Sequence, residues 1–150
     1  MRGVRLGHFL QTPERRTFTY CKPLVLAPGR PPRELNRLDS KNWSPTPESV
    51  RQLLRDSLHA VSEGTNGIIL MDQVDQEDTG VVTSDLLEAV RLRAAARPDF
   101  LMIADSRRSL KNWPSVCLKM NERELGVLTA TELLDLSHVK ATAAALAREQ

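Results

Sequence analysis

Three short apolar runs, within residues 68–71, 100–104 and 115–119, most constrain what this chain can fold into. Each is short enough for a buried strand, and turn formers or helical patterns separate them. Thr83-Ser84-Asp85 is a helix-start signal. Leu86, Leu87, Val90 and Ala94 then recur at helical spacing, and Pro98 closes the segment. Upstream, Thr46 as N-cap and Pro47 at the first helical position open another helix. Its apolar face is Val50, Leu53, Leu54, Leu58 and Val61, and Gly64 ends it. A last helical region spans 121–149, with a break expected near Gly126-Val127-Leu128-Thr129. The order after residue 46 is therefore αβαββα. Short apolar strands alternating with amphipathic helices predict an α/β fold with a partial, doubly wound parallel sheet flanked by helices.

The first third reads differently. Residues 1–14 carry no pattern and read as an irregular tail. Residues 15–26 alternate polar and apolar, Pro28-Gly29-Arg30-Pro31-Pro32 is a turn, and 33–39 form a second strand. Together they predict a β-hairpin within 15–45, ahead of a core over 46–150.

Composition removes several function classes. Aromatics are only 4% of the chain, too few for base-stacking platforms, so no nucleic-acid partner is expected. No apolar run approaches the ~20 residues that span a bilayer, and the first ten residues lack a signal-peptide core. A cytoplasmic protein without a membrane partner is expected. Cys21 and Cys117 have no second cysteine near them, which rules out zinc or redox spacing, and Cys117 is expected to pack in its strand. Net charge is +6 over residues 1–51 and −4 over the rest. The basic third suits an anionic ligand or simply a solvated surface.

Chemistry-bearing residues gather at predicted strand ends. Asp72 and Asp105 close apolar runs, where open parallel sheets collect ligands. Lys119-Met120-Asn121-Glu122-Arg123-Glu124 follows the last strand and opens a helix. Asn121 and Glu124 are three apart and share a helical face. They fit a capping box, and equally a carboxylate and amide organising hydrated Mg²⁺ near phosphate. The acidic stretch Asp75, Glu77, Asp78 reads as a solvated loop, and Trp113 as a plug between strand ends.

Asp105, the polar loop to Trp113, and Lys119 to Glu124 resemble the middle of the PfkB (ribokinase-like) carbohydrate kinases, nearest to bacterial heptose-phosphate kinases. There the text runs Asp-Pro-Lys, a loop, then Leu-Lys-Pro-Asn-x-x-Glu. Arg15 to Pro23, Glu34 to Asp39, and Gly67 to Asp72 with Gly80-Val81-Val82-Thr83 resemble further segments in the same order. The likeness covers about residues 15 to 126. Departures are the acidic 73–79 stretch in place of a glycine-rich one, Ser106-Arg107 for Pro-Lys, and Met120 for Pro. The family's Gly-Ala-Gly-Asp segment, which carries the general base, does not occur in these 150 residues.

The resemblance implies a central piece of a ribokinase-like enzyme that moves the γ-phosphoryl of ATP to a sugar or sugar phosphate. The hairpin would then be a lid, with a homodimer through its strands. Asp105 and Glu124 would hold Mg²⁺. Lys119, Asn121, Glu124 and Arg107 would contact the ATP phosphates. Asp39 and Asp72 would bind the sugar, with Arg37 expected on the opposite side of its strand from Asp39. Two rival classes remain: a non-catalytic nucleotide- or sugar-binding protein, and an α/β module that works with a partner chain.

Overall fold

A computed structural model describes residues 3–149, so Met1 and Arg2 of the expected tail and Gln150 lie outside the described residues. The elements run β1 Thr19–Cys21, β2 Leu24–Val25, β3 Arg33–Glu34, β4 Leu38–Ser40, α1 Glu48–Gly64, β5 Gly67–Asp72, α2 Ser84–Ala96, β6 Leu101–Ser106, β7 Cys117–Leu118, α3 Glu122–Thr129 and α4 Leu136–Glu149. From residue 48 onward the expected order is present, with the last helical region split in two.

β5 and β6 pair in parallel from Gly67↔Leu101 to Asp72↔Ser106, and β7 adds Ile103↔Cys117 and Ala104↔Leu118. A side chain at Gly67 would meet the Leu101 carbonyl oxygen at 2.8 Å, so this close start of the ladder requires glycine. The core packs Leu70, Met102 and Ala104 against Val90 of α2, with Val82, Phe100, Leu110 and Trp113 around them. Trp113 is buried and fills the space beside the strand ends, as expected.

The expected doubly wound sheet is not seen among the described residues. Strand order is β5-β6-β7, stepping one way without reversal. Right-handed crossovers stepping in one direction put their helices on one face. The burial pattern agrees: Leu70, Met102 and Ala104 are buried, while Ile69 (67%), Met71 (55%) and Leu101 (55%) stay exposed on alternate positions. Cys117 is exposed rather than packed, because β7 is an edge strand.

The hairpin is present in broken form. β1 pairs antiparallel with β4, and β2 with β3, as nested two-stranded ladders. Pro23 lacks an N–H and interrupts the run, although its carbonyl still accepts from Leu35 at 2.9 Å. Gly29 turns the hairpin at φ +68. Residues 15–18 are not strand.

One helix boundary differs from expectation, and the break in the last helical region falls at the end of the stretch expected for it. Thr46 does not cap α1; Pro47 is the N-cap and supplies no side-chain bond. The Thr46 hydroxyl instead donates to the Gly80 carbonyl, and its N–H to the Asp78 carbonyl, each at 2.7 Å. The break in the last region falls after Thr129, at left-handed Ala130, so Gly126 lies inside α3. By contrast Thr83 caps α2 as expected, accepting from Leu86 N at 3.4 Å.

α1 and α2 are clamped by Asp85, which accepts from Arg51 Nε and Arg55 Nη1, each at 2.7 Å. The hydrogen bond from Arg51 holds the Asp85 carboxyl below its ordinary 3.8. A depressed carboxyl contributes stability that is full above its unfolded pKa and is lost as pH falls through the folded value. Melting temperature should therefore drop below about pH 4. Asp85→Asn should lower it at neutral pH and flatten the acid limb; parallel wild-type and variant curves would contradict this clamp.

The open sheet face and the β7 edge should make the chain associate with itself. Sedimentation velocity is expected to show mass rising with concentration, reversed by Ile69→Lys with Leu101→Lys. A single monomeric, cooperatively melting species at every concentration would refute this. Among the described residues no helix is long and apolar enough to cross a membrane.

Candidate functional site at the carboxyl edge of the sheet

The carboxyl edge of the parallel sheet collects most of the residues singled out above. Asp72 ends β5 and is 1% exposed. Its Oδ2 accepts from Ser106 Oγ at 2.9 Å and from Arg108 Nε at 3.2 Å, with Arg108 Nη2 at 3.1 Å. Ser106 Oγ in turn accepts from the Arg108 and Ser109 N–H groups at 3.2 and 3.3 Å. Asp72 thus fixes the loop that follows β6. It is engaged internally, and its Oδ1 has no partner among the described residues.

Asp105 lies one residue from the end of β6 and takes the other side of the strand from Ser106. Its Oδ2 accepts from Lys119 Nζ at 3.0 Å. Lys119 is held at this level because its own N–H extends the ladder to the Ala104 carbonyl at 2.8 Å. The two residues expected at metal and phosphate therefore form an ion pair at the sheet edge.

Asn121 and Glu124 form a full capping box. Asn121 Oδ1 accepts from Glu124 N at 2.9 Å, and Glu124 Oε2 from Asn121 N at 2.7 Å. The capping reading is realised, and both side chains also remain exposed. Among the described residues no three His, Cys, Asp or Glu side chains converge as metal ligands. Among the described residues Asp105 Oδ1 and Glu124 Oε1 make no hydrogen bond. These hard oxygens suit Mg²⁺ kept largely hydrated, which needs only one or two carboxylates.

A cleft of about 360 Å³ opens between the loop after β6 and the start of α3. Its wall joins Arg107, Asn121 and Glu124 with Arg108 and Arg123, for which the sequence suggested no role. The adjacent pair Arg107-Arg108 was the available signal; Arg123 carried none beyond its charge. Arg107 and Arg123 leave the wall positively charged beside a helix N-terminus, against the one carboxylate of Glu124, while Arg108 is already paired with Asp72. Asp39, Asp72, Asp105 and Lys119 are not part of its wall.

The hairpin is pinned beside this edge. Tyr20 Oη donates to the Gln73 carbonyl at 2.8 Å. The Tyr20 ring has the guanidinium carbons of Arg37 at 5.1 Å and Arg107 at 4.9 Å from its centroid. Arg107 Nε also donates to Gln73 Oε1 at 2.9 Å. Arg37 does not face away from Asp39: the two bond at 2.7 Å, since strand residues two apart share a face. Asp39 also has Lys41 Nζ at 3.6 Å.

The acidic stretch is solvated as expected at Asp75 and Glu77, and it is tied down through Asp75 and Asp78. Asp75 pairs with Lys41, whose hydrogen bond lowers the Asp75 pKa and raises its own. Asp78 Oδ1 accepts from Ser84 N at 2.6 Å, at a φ of +57. His59 and His138 are exposed.

No protein-family model, no curated protein and no solved structure matches this chain.

Proposed function

We propose that this chain carries the metal- and phosphate-organising edge, and the lid, of an ATP-dependent PfkB-type kinase acting on a sugar or sugar phosphate. The observation that carries the reading is the arginine-lined cleft, which joins Arg107, Asn121 and Glu124 at one sheet edge. In phosphoryl transfer the protein works mainly by positioning and by offsetting charge on the phosphate oxygens. Arg107, Arg108 and Arg123 would take phosphate oxygens, with Lys119 beside them. Asp105 and Glu124 would hold the Mg²⁺ hydration shell, and the bound ion would screen the β- and γ-phosphates. Asp39, on the pinned hairpin, would meet a sugar hydroxyl. Asp72 would act through Arg108, keeping the loop in position. The general base is not among the residues of this cleft. The exposed Leu24, Leu26 and Leu38 of the hairpin suit a homodimer through the lid.

Calorimetric titration with ATP tests this reading. ATP should bind with Mg²⁺ and several-fold more weakly without it, and Asp105→Asn should remove most of the difference. Binding that ignores Mg²⁺, or no binding, would overturn the proposal. With a panel of sugar phosphates this 150-residue chain should show no turnover. Turnover lost on Asp105→Ala would move the active site.

The open sheet face favours a second reading, an α/β module completed by a partner chain. Ile69, Met71 and Leu101 are the residues such a partner would cover.

A further inference from the structure

The three arginines of the cleft beside α3 are held differently. Arg108 gives its Nε and Nη2 to the Asp72 carboxylate. Arg123 is held by no side-chain hydrogen bond or ion pair among the described residues. Arg107 is anchored and still free in charge. Its Nε donates to Gln73 Oε1 at 2.9 Å, and its guanidinium carbon sits over the Tyr20 ring, 4.9 Å from the centroid. Among the described residues its Nη groups make no hydrogen bond, and it forms no ion pair. Asp75 acts on it only from a distance and is itself bonded to Lys41.

Tyr20 belongs to β1 of the hairpin and is fixed by its Oη, which donates to the Gln73 carbonyl at 2.8 Å. Gln73 thus takes Tyr20 through its backbone and Arg107 through its side chain. The other guanidinium at the ring, Arg37 at 5.1 Å, is neutralised by Asp39. An exposed arginine loses rotamer freedom when it grips an anion, and fixing it beforehand lowers that cost. With the Nε and the flat face of Arg107 engaged, its Nη1–Nη2 end remains. That end can meet two phosphate oxygens at once.

We propose that Tyr20 is a positioning residue for phosphate: it holds Arg107 with its Nη end free, so a docked hairpin raises the affinity of the cleft for a phosphate chain. The coupling is reciprocal, and a phosphate chain on Arg107 tightens the hairpin against the sheet edge. This inference rests on the phosphate-binding part of the function proposed above.

Calorimetric titration of sodium tripolyphosphate into the 150-residue chain, without Mg²⁺, tests it. Tyr20→Leu should weaken binding about fivefold, the effect of losing one cation–π contact. Tyr20→Phe keeps the ring and should stay within about twofold. In an Arg107→Leu background Tyr20→Leu should change nothing further, whereas in an Arg123→Leu background it should cost the same about fivefold. Tripolyphosphate should also slow amide exchange in β1 and β4, and should not do so in Arg107→Leu. None of these three side chains is buried, so the substitutions spare the core. Unchanged affinity in Tyr20→Leu, the same loss with Arg107 already replaced, or no binding of tripolyphosphate would each overturn the inference. The expected tripolyphosphate pattern beside ATP binding that ignores Mg²⁺ would sink the kinase reading and leave this coupling standing. Mg²⁺-dependent ATP binding beside an inert Tyr20→Leu would do the reverse.

Discussion

Arg108→Ala is expected to destabilise the chain by about 3 kcal/mol. Breaking a buried ion pair typically costs 3–5 kcal/mol because one charge is left without a partner. Here the stranded group is Asp72, 1% exposed, which would keep only the hydrogen bond from Ser106. The low end applies because the Arg108 side chain is 24% exposed, so some water replaces it. Urea titration measures the loss; a change below about 1 kcal/mol would show that Asp72 does not depend on Arg108. Asp72→Asn should cost less than Arg108→Ala, since the amide needs no counter-charge. The substitution also strips one guanidinium from the arginine-lined cleft, so on the proposed reading ATP binding should weaken even where the variant remains folded.

Glu124→Gln separates function from folding. Gln also serves at the third position of a capping box, so α3 should keep its start and the melting temperature should hold. What the change removes is one negative charge. If Glu124 steadies hydrated Mg²⁺, the Mg²⁺-dependent part of ATP binding should fall roughly tenfold, about 1.4 kcal/mol. Binding of ATP without Mg²⁺ should hold or rise, because a carboxylate beside phosphate repels it. Asn121→Ala reports less clearly: it deletes a cap worth about 1 kcal/mol along with any contact to ligand.

The parts of the fold legible in the sequence are those whose causes are local. Thr83, Leu86, Val90 and Pro98 mark α2 within one segment, and Asn121 with Glu124 marks the start of α3. Thr46 carries an equally good local signal, yet its hydroxyl and N–H go to Gly80 and Asp78, more than 30 positions away. The stretch Gly126 to Thr129 reads as a helix break, and α3 does end at its last residue, Thr129, while Gly126 itself is helical. A side chain at Gly126 would meet the Thr131 carbonyl oxygen at 2.9 Å. An apolar run such as Ile68–Met71 tells that a strand forms and not how many of its faces are covered. That depends on strand order, which no local pattern encodes. In the site, Asp105 and Lys119 were legible from their places at strand ends. Arg108 and Arg123 were not, because their roles arise from pairing with Asp72 across the sheet and from the cleft that α3 closes.

The central claim is that the edge between β6 and α3 organises a metal–phosphate complex. Mn²⁺ in place of Mg²⁺ tests it directly, since a paramagnetic ion broadens the signals of nuclei close to it. With Mn²⁺ and ATP together, the amides of Asp105, Arg107, Lys119 and Asn121 to Glu124 should broaden first. Glu124→Gln should weaken that broadening without altering the rest of the spectrum. Broadening centred on Asp75, Glu77 and Asp78, or a pattern unchanged by Glu124→Gln, would contradict the account.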